Sequence, residues 1–172
     1  MPALPLYYTN APENKRAYSS VHHKEKPGQA HAQSMINSEH AWSLGTVKAG
    51  QWMQIDMGEV LTVAGTIVQN RKDYPGQYVK TYTVKTSLDG KNFEAVSGGA
   101  YEGKKGTAKN LFHSGGRRKA RYVRFTVQTW DAKQHPSMRA DVLVVEKKGP
   151  SAGISTRAIP ATGISNVCDK IL

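Results

Sequence analysis

From residue 50 to residue 146 the apolar positions recur every second residue, the period of an extended strand with one buried face. In QWMQIDMG (51–58), Met53, Ile55 and Met57 fall on one side and Trp52, Gln54 and Asp56 on the other. YVKTYTVKTS (78–87) places Tyr82 and Val84 together. It then closes on Asp89-Gly90, a strong hairpin signal, before KNFEAV (91–96). ARYVRFTVQTW (120–130) sets Val123, Phe125 and Val127 against Tyr122, Arg124 and Thr126, and MRADVLVV (138–145) supplies a last strand. Short strands, long loops and almost no helical period predict an all-β domain, an antiparallel sandwich or barrel.

The two ends break this pattern. Residues 1–16 carry three prolines and no hydrophobic period, and residues 147–172 are rich in Gly, Ser, Ala and Thr around isolated Ile residues. Both read as extended tails flanking one domain at 17–146, and 172 residues suffice for one core without a metal or disulfide. The single cysteine, Cys168, lies in a tail and cannot pair within the chain. No apolar run approaches the roughly 18 residues of a membrane helix, so no transmembrane segment is expected. The opening residues lack a basic stretch followed by an apolar one, which favours a cytoplasmic protein over an extracellular one.

Charge narrows the partners. The net charge is +11, the isoelectric point is near 9.8 and the mean hydropathy is −0.55. The excess concentrates late in the chain, where HSGGRRKARYVRF (113–125) packs Arg117, Arg118, Lys119, Arg121 and Arg124 together. Acidic proteins, anionic lipid and nucleic acid all answer such a charge. Nucleic acid fits worst, because sheets that bind it interleave cations with exposed aromatics and the basic run offers little beyond Tyr122.

Little here points to catalysis. GGAYEGKK (98–105) has the glycine and lysine spacing of a phosphate-binding loop, but Lys105 stands where Ser or Thr must ligate magnesium, and a hairpin loop explains the stretch better. His22, His23, His31, His40, His113 and His135 include no H-x-x-x-H pair, so neither a metal nor another cofactor is expected. No G-x-S-x-G elbow and no paired carboxylates appear, and the expectation is a non-enzyme.

Six motifs then acquire meaning from their order: AYSS (17–20), AWSLG (41–45), GQWMQIDMGE (50–59), the long stretch 66–96, ARYVRFTVQTW (120–130) and SMRADVLV (137–144). Together they resemble the discoidin domain, also called the coagulation factor V/VIII type C domain. The resemblance implies a distorted jelly-roll barrel of the galactose-binding-like type. It also implies a binding module whose ligand loops lie opposite the termini, here 21–32, 43–50, 69–77 and 130–136. Those loops hold His22, His23, Lys24, Arg71, Lys72, Asp73, Tyr74, Asp131, Lys133 and His135, a set suited to sugar hydroxyls with Tyr74 as a stacking face. Asp56 and Arg139 match polar positions inside the family's strands and are expected to be structural, each held by a partner.

Three departures shape the functional reading. The cysteines that join the domain ends in secreted members are missing, the loop tips are charged rather than apolar, and Lys104, Lys105 and Gly106 follow Tyr101-Glu102-Gly103, which opposes calcium there. The reading placed first is an intracellular adaptor that docks a basic surface, Lys104, Lys105, Arg117, Arg118 and Lys119, and its tails onto an acidic assembly such as a microtubule. Tubulin would be the partner, in the cytoskeleton or a cilium. The alternative is a lectin of the discoidin kind that binds galactose-like glycans through the four loops.

Overall fold

The computed structural model describes residues 5–113, 116–145 and 157–159. Within them the strands are β1 (Leu6–Tyr8), β2 (Arg16–Tyr18), β3 (Trp42–Ser43), β4 (Trp52–Gln69), β5 (Val79–Ser87), β6 (Glu94–Ala95), β7 (Tyr101–Glu102), β8 (Thr107–Leu111), β9 (Arg118–Trp130), β10 (Ser137–Val144) and β11 (Arg157–Ile159). Every strand pairing is antiparallel. Among the described residues the helical content is three single turns of 3-10 helix, Glu13–Lys15, His22–Lys24 and Ala30–Ala32. The protein is an all-β sandwich, as the period of two predicts.

One strand organises it. The first part of β4, residues 52–56, lies between β2 and β9, and its last part, 63–69, lies between β10 and β8. Between them the register shifts and Gly58 takes a φ of 80°, so a single strand turns a corner and serves both halves of the sandwich. The period of two reveals only the first part of this strand, 51–58, and at 58–60 the burial pattern lapses into exposed residues.

Residues from both halves meet in one core. Met53, Ile55 and Met57 from β4, Tyr82 and Val84 from β5, Phe125 and Val127 from β9, and Met138 and Val142 from β10 pack around Trp42 and Leu44. Each large side chain buried in this way contributes about 1.5–3 kcal/mol. The basic run 113–125 divides within it: Ala120, Val123 and Phe125 enter the core while Arg121 and Arg124 stay on the outer face.

Polar groups fix the wall. Asp56 takes the Arg121 guanidinium on both oxygens at 2.8 and 2.9 Å, and also accepts the Gly58 N–H at 2.8 Å. Burial pushes its carboxyl up, but these donors outweigh it and hold the group below the ordinary carboxylate range. Buried Arg139 donates from Nε to the Asn70 carbonyl and from Nη1 to the Ser38 carbonyl, tying two loops to β10. Arg16 does the same at the other side, with its guanidinium on the Ala11, Ser34 and Ala140 carbonyls.

The sequence ends that read as tails each contribute a short strand. β1 pairs with the end of β10, and β11 pairs in turn with β1. This end of the sandwich is opposite the connections 70–78 and 131–136, since the β4–β10 ladder begins at Gln69 and Arg139 and the β5–β9 ladder at Val79 and Trp130.

Candidate functional site

The loops at the free end are held to one another by a few polar anchors. Ser20 Oγ donates to Gln51 Oε1 at 2.6 Å and accepts the N–H groups of Gly45 and Thr46, which joins loop 19–24 to loop 43–50. Trp42 Nε1 donates to the Ser20 carbonyl, and its ring stacks on Tyr18 at 5.6 Å. The His135 Nε2 contacts the Leu44 carbonyl oxygen at 2.8 Å, which brings in loop 130–136. Gln134 lies over Gly76 and so adds loop 69–77.

Between loops 19–24 and 43–50 opens a cleft of about 600 Å³ lined by Ser19, Ser20, Val21, His23, Lys24, Gly45 and Thr46. Behind His23 stands a group of imidazoles. His22 packs 4.0 Å from His23, 4.8 Å from His31 and 4.9 Å from His135, measured between ring centroids, and His23 lies 5.5 Å from His31. The one carboxylate among them, Glu25, is engaged by the backbone N–H of His31 at 2.6 Å and by its Nδ1 at 2.9 Å. Burial and the neighbouring imidazoles push His22 below the ordinary histidine value. Among the described residues no three His, Cys, Asp or Glu side chains are set to hold a metal ion as they stand.

A second polar cluster forms on loop 69–77. Arg71 is buried and grips Asp73 through Nε at 2.6 Å and Nη2 at 2.8 Å, while His40 adds its Nδ1 to the same carboxylate at 3.1 Å. The Arg71 guanidinium beside Asp73 holds the carboxyl down at about 2. The guanidinium also lies 4.9 Å from the Tyr74 ring, which remains 59% exposed, and Lys72 pairs with Glu39 at 2.7 Å.

The ten loop residues singled out in the sequence therefore fall into two groups. His22, His23, Lys24 and His135 gather around the cleft, and Arg71, Asp73 and Tyr74 form the second cluster with Lys72 at its edge. Asp131 shapes its own loop by accepting the Lys133 N–H at 3.0 Å, and Lys133 points outward. Sequence reasoning missed His31, His40, Glu25 and Glu39. The available signal was the crowding of four of the six histidines into the loop segments, which their sequence spacing hides.

The basic candidates do not gather. Lys104 and Lys105 stand in the turn before β8, whose first residue pairs with Gln69, whereas Arg117, Arg118 and Lys119 follow β8 and pair near Val63. The strand's length separates them. Much of the basic run is also engaged: Arg118 meets Glu94 at 3.3 Å, Arg121 holds Asp56, and Arg124 lies between the rings of Trp52 and Phe93 at 4.0 and 3.9 Å.

A β4 that turns the corner, paired ends and a crown of loops at the free end describe a known family, and its model, the F5/8 type C domain, matches residues 15–142. The chain belongs to the F5/8 type C domain family. Pig (Sus scrofa) lactadherin is 40% identical over 67 residues, 38% of this chain and 16% of that protein's length. Among solved structures, discoidin II of Dictyostelium discoideum superposes with a TM-score of 0.63 at 19% identity, covering 77% of this chain and 55% of that one. The family 32 CBM of NanJ from C. perfringens, solved in complex with galactose, superposes with a TM-score of 0.59 at 16% identity over 79% of this chain and 98% of that one. F5/8 type C domains are binding modules. None of these neighbours supports a microtubule, tubulin or ciliary role. Among the described residues no helix is long and apolar enough to cross a membrane.

Proposed function

We propose that this F5/8 type C domain is a non-catalytic glycan-binding module that takes galactose-like sugars at the loop end, opposite β1 and β11. The observation that carries the reading is the cleft of about 600 Å³ between loops 19–24 and 43–50, large enough for one or two sugar rings and rimmed by His23 and Lys24. A solved neighbour of the same fold is in complex with galactose, which supports a sugar as the ligand. Tyr74, exposed on the next loop, offers an aromatic face to a second sugar residue. The sandwich contributes rigidity: Arg139, Ser20 and His135 fix the loops from below, so little ordering remains to oppose binding.

A glycan array followed by saturation-transfer NMR tests this reading. Galactose-terminated glycans should bind, and the Gly45→Ala protein should lose them. If no sugar shows transfer at millimolar concentration, the reading fails.

A further inference from the structure

The residues that line the cleft include a lysine and no acid. Ser19 Oγ and Ser20 Oγ both donate to Gln51 Oε1, and they accept the N–H groups of Trp52, Gly45 and Thr46. The Ser20 carbonyl is taken by Trp42 Nε1 and the Val21 carbonyl by the Lys24 N–H. What remains open to a ligand includes the Lys24 ammonium, exposed and without an ion pair or hydrogen bond of its own among the described residues, the exposed imidazole of His23 and the Thr46 hydroxyl. A neutral sugar leaves the Lys24 charge uncompensated. A carboxylate or sulfate brings acceptors alone.

The charges around the cleft agree. From loop 21–25 come His22, His23, Lys24 and Glu25, from turn Ala30–Ala32 comes His31, from loop 43–50 comes Lys48, and from loop 130–136 come Asp131, Lys133 and His135. Both acids are engaged, Glu25 by His31 and Asp131 by the Lys133 N–H, so neither is turned to Lys24. Four imidazoles packed within 4.0–5.5 Å of a neighbour repel one another when protonated, and a bound anion relieves that repulsion.

We propose that the cleft selects acidic glycans, seating the carboxylate or sulfate of a galactose-type sugar against Lys24 and His23, and that it holds them more tightly as the pH falls. The proposal rests on the glycan reading above and names the sugar class. Lys24 supplies a permanent charge. His22, packed against three other imidazoles and held below the ordinary histidine value by burial and those neighbours, takes up its proton more readily once an anion is bound beside it.

Isothermal titration of the whole chain with galacturonate, galactose 6-sulfate and methyl β-galactoside, at pH 7.5 and 5.5 and equal ionic strength, tests it. The acidic sugars should bind about fivefold more tightly than the neutral one at pH 7.5. That ratio should grow a further few-fold, on the order of three, at pH 5.5. Lys24→Ala should abolish the ratio and Lys24→Arg restore it, while Lys109→Ala, an equal change in net charge on β8, should leave it unaltered. His22→Asn, which spares both groups that seat the anion, should reduce the gain at pH 5.5 and leave the ratio at pH 7.5 unaltered. Equal affinity for acidic and neutral sugars overturns the acidic selectivity and leaves the glycan reading standing. A preference that Lys109→Ala lowers as much as Lys24→Ala assigns it to overall charge and overturns the site. If no sugar binds, both readings fall.

Discussion

Two polar clusters stand at the same end of the sandwich, built from the same kinds of residue, and they end in opposite states. In one, Arg71 closes on Asp73 with both arms of its guanidinium, His40 completes the carboxylate's shell and Lys72 finds Glu39. In the other, Lys24 has no carboxylate, His23 touches other imidazoles, and the nearby acid, Glu25, is already held by His31. The first cluster has used its valences to shape loop 69–77. The second leaves Lys24 and His23 exposed. Residue type alone would rank the Arg-Asp-Tyr set as the better sugar site, and hydrogen-bond accounting reverses that order.

Arg139→Met removes the donors on the Asn70 and Ser38 carbonyls, and so loosens the loops beneath the Arg71–Asp73 pair. It should cost about 3 kcal/mol, read from the urea midpoint, because charge-assisted bonds in a buried setting are lost and carbonyls are left unpaired. The cleft, anchored through Ser20 and Gln51 instead, should keep its sugar affinity in whatever fraction folds.

Gly45→Ala attacks the other cluster. A Cβ there would meet the Val21 carbonyl oxygen at 2.5 Å, so loop 43–50 must move away from loop 19–24. The cost should be about 2 kcal/mol, with loss of sugar binding that exceeds any loss of fold. A variant with native stability and native binding would show that the cleft wall yields freely.

Asp73→Asn should lower stability by about 1 kcal/mol by opening the pair with Arg71. The acid limb supplies the sign. A carboxyl held at about 2 in the folded protein and titrating near 3.8 when free contributes stability that is complete above the free value and lost as pH falls through the folded one. The Asn variant should therefore lack the part of the native stability loss that falls between pH 4 and pH 2.

The histidine group should respond at milder pH and more weakly. His22 is pushed below the ordinary value, so the unfolded chain takes up its proton first, and stability present above about pH 6.5 declines as the pH falls further. Between pH 7.5 and 5.5 the melting temperature should drop by about 1–2 °C, and His22→Gln should flatten that slope. Galacturonate should restore part of the loss in the native protein. Lys24→Ala should change the melting temperature least of all, since the side chain is exposed and unpartnered.

The legibility of the molecule follows the range of its interactions. A period of two in 51–57, 78–87 and 120–130 is a local property, because alternation of side chains across an extended backbone needs no partner to be visible. It identified the strands and placed Met53, Phe125 and Val127 inside. Motif order added the family resemblance, and with it the free end where loops should gather. The joining of 52–69 into one bent strand was less visible, because its exposed middle breaks the pattern that reveals strands.

Apart from Asp56 and Arg139, expected from the family resemblance to be held by partners, the state of the charged residues was not legible. Arg121 and Arg124 look like members of a basic surface until Asp56, Trp52 and Phe93, brought by strand pairing from far along the chain, occupy them. His31 and His135 look unrelated until two loops fold onto His22. The sequence by itself determined the alternating strands, the buried faces and which residues would stand in the loops. Only the tertiary structure decided which loop charges neutralise one another and which remain open, because that depends on contacts between segments that share no local pattern.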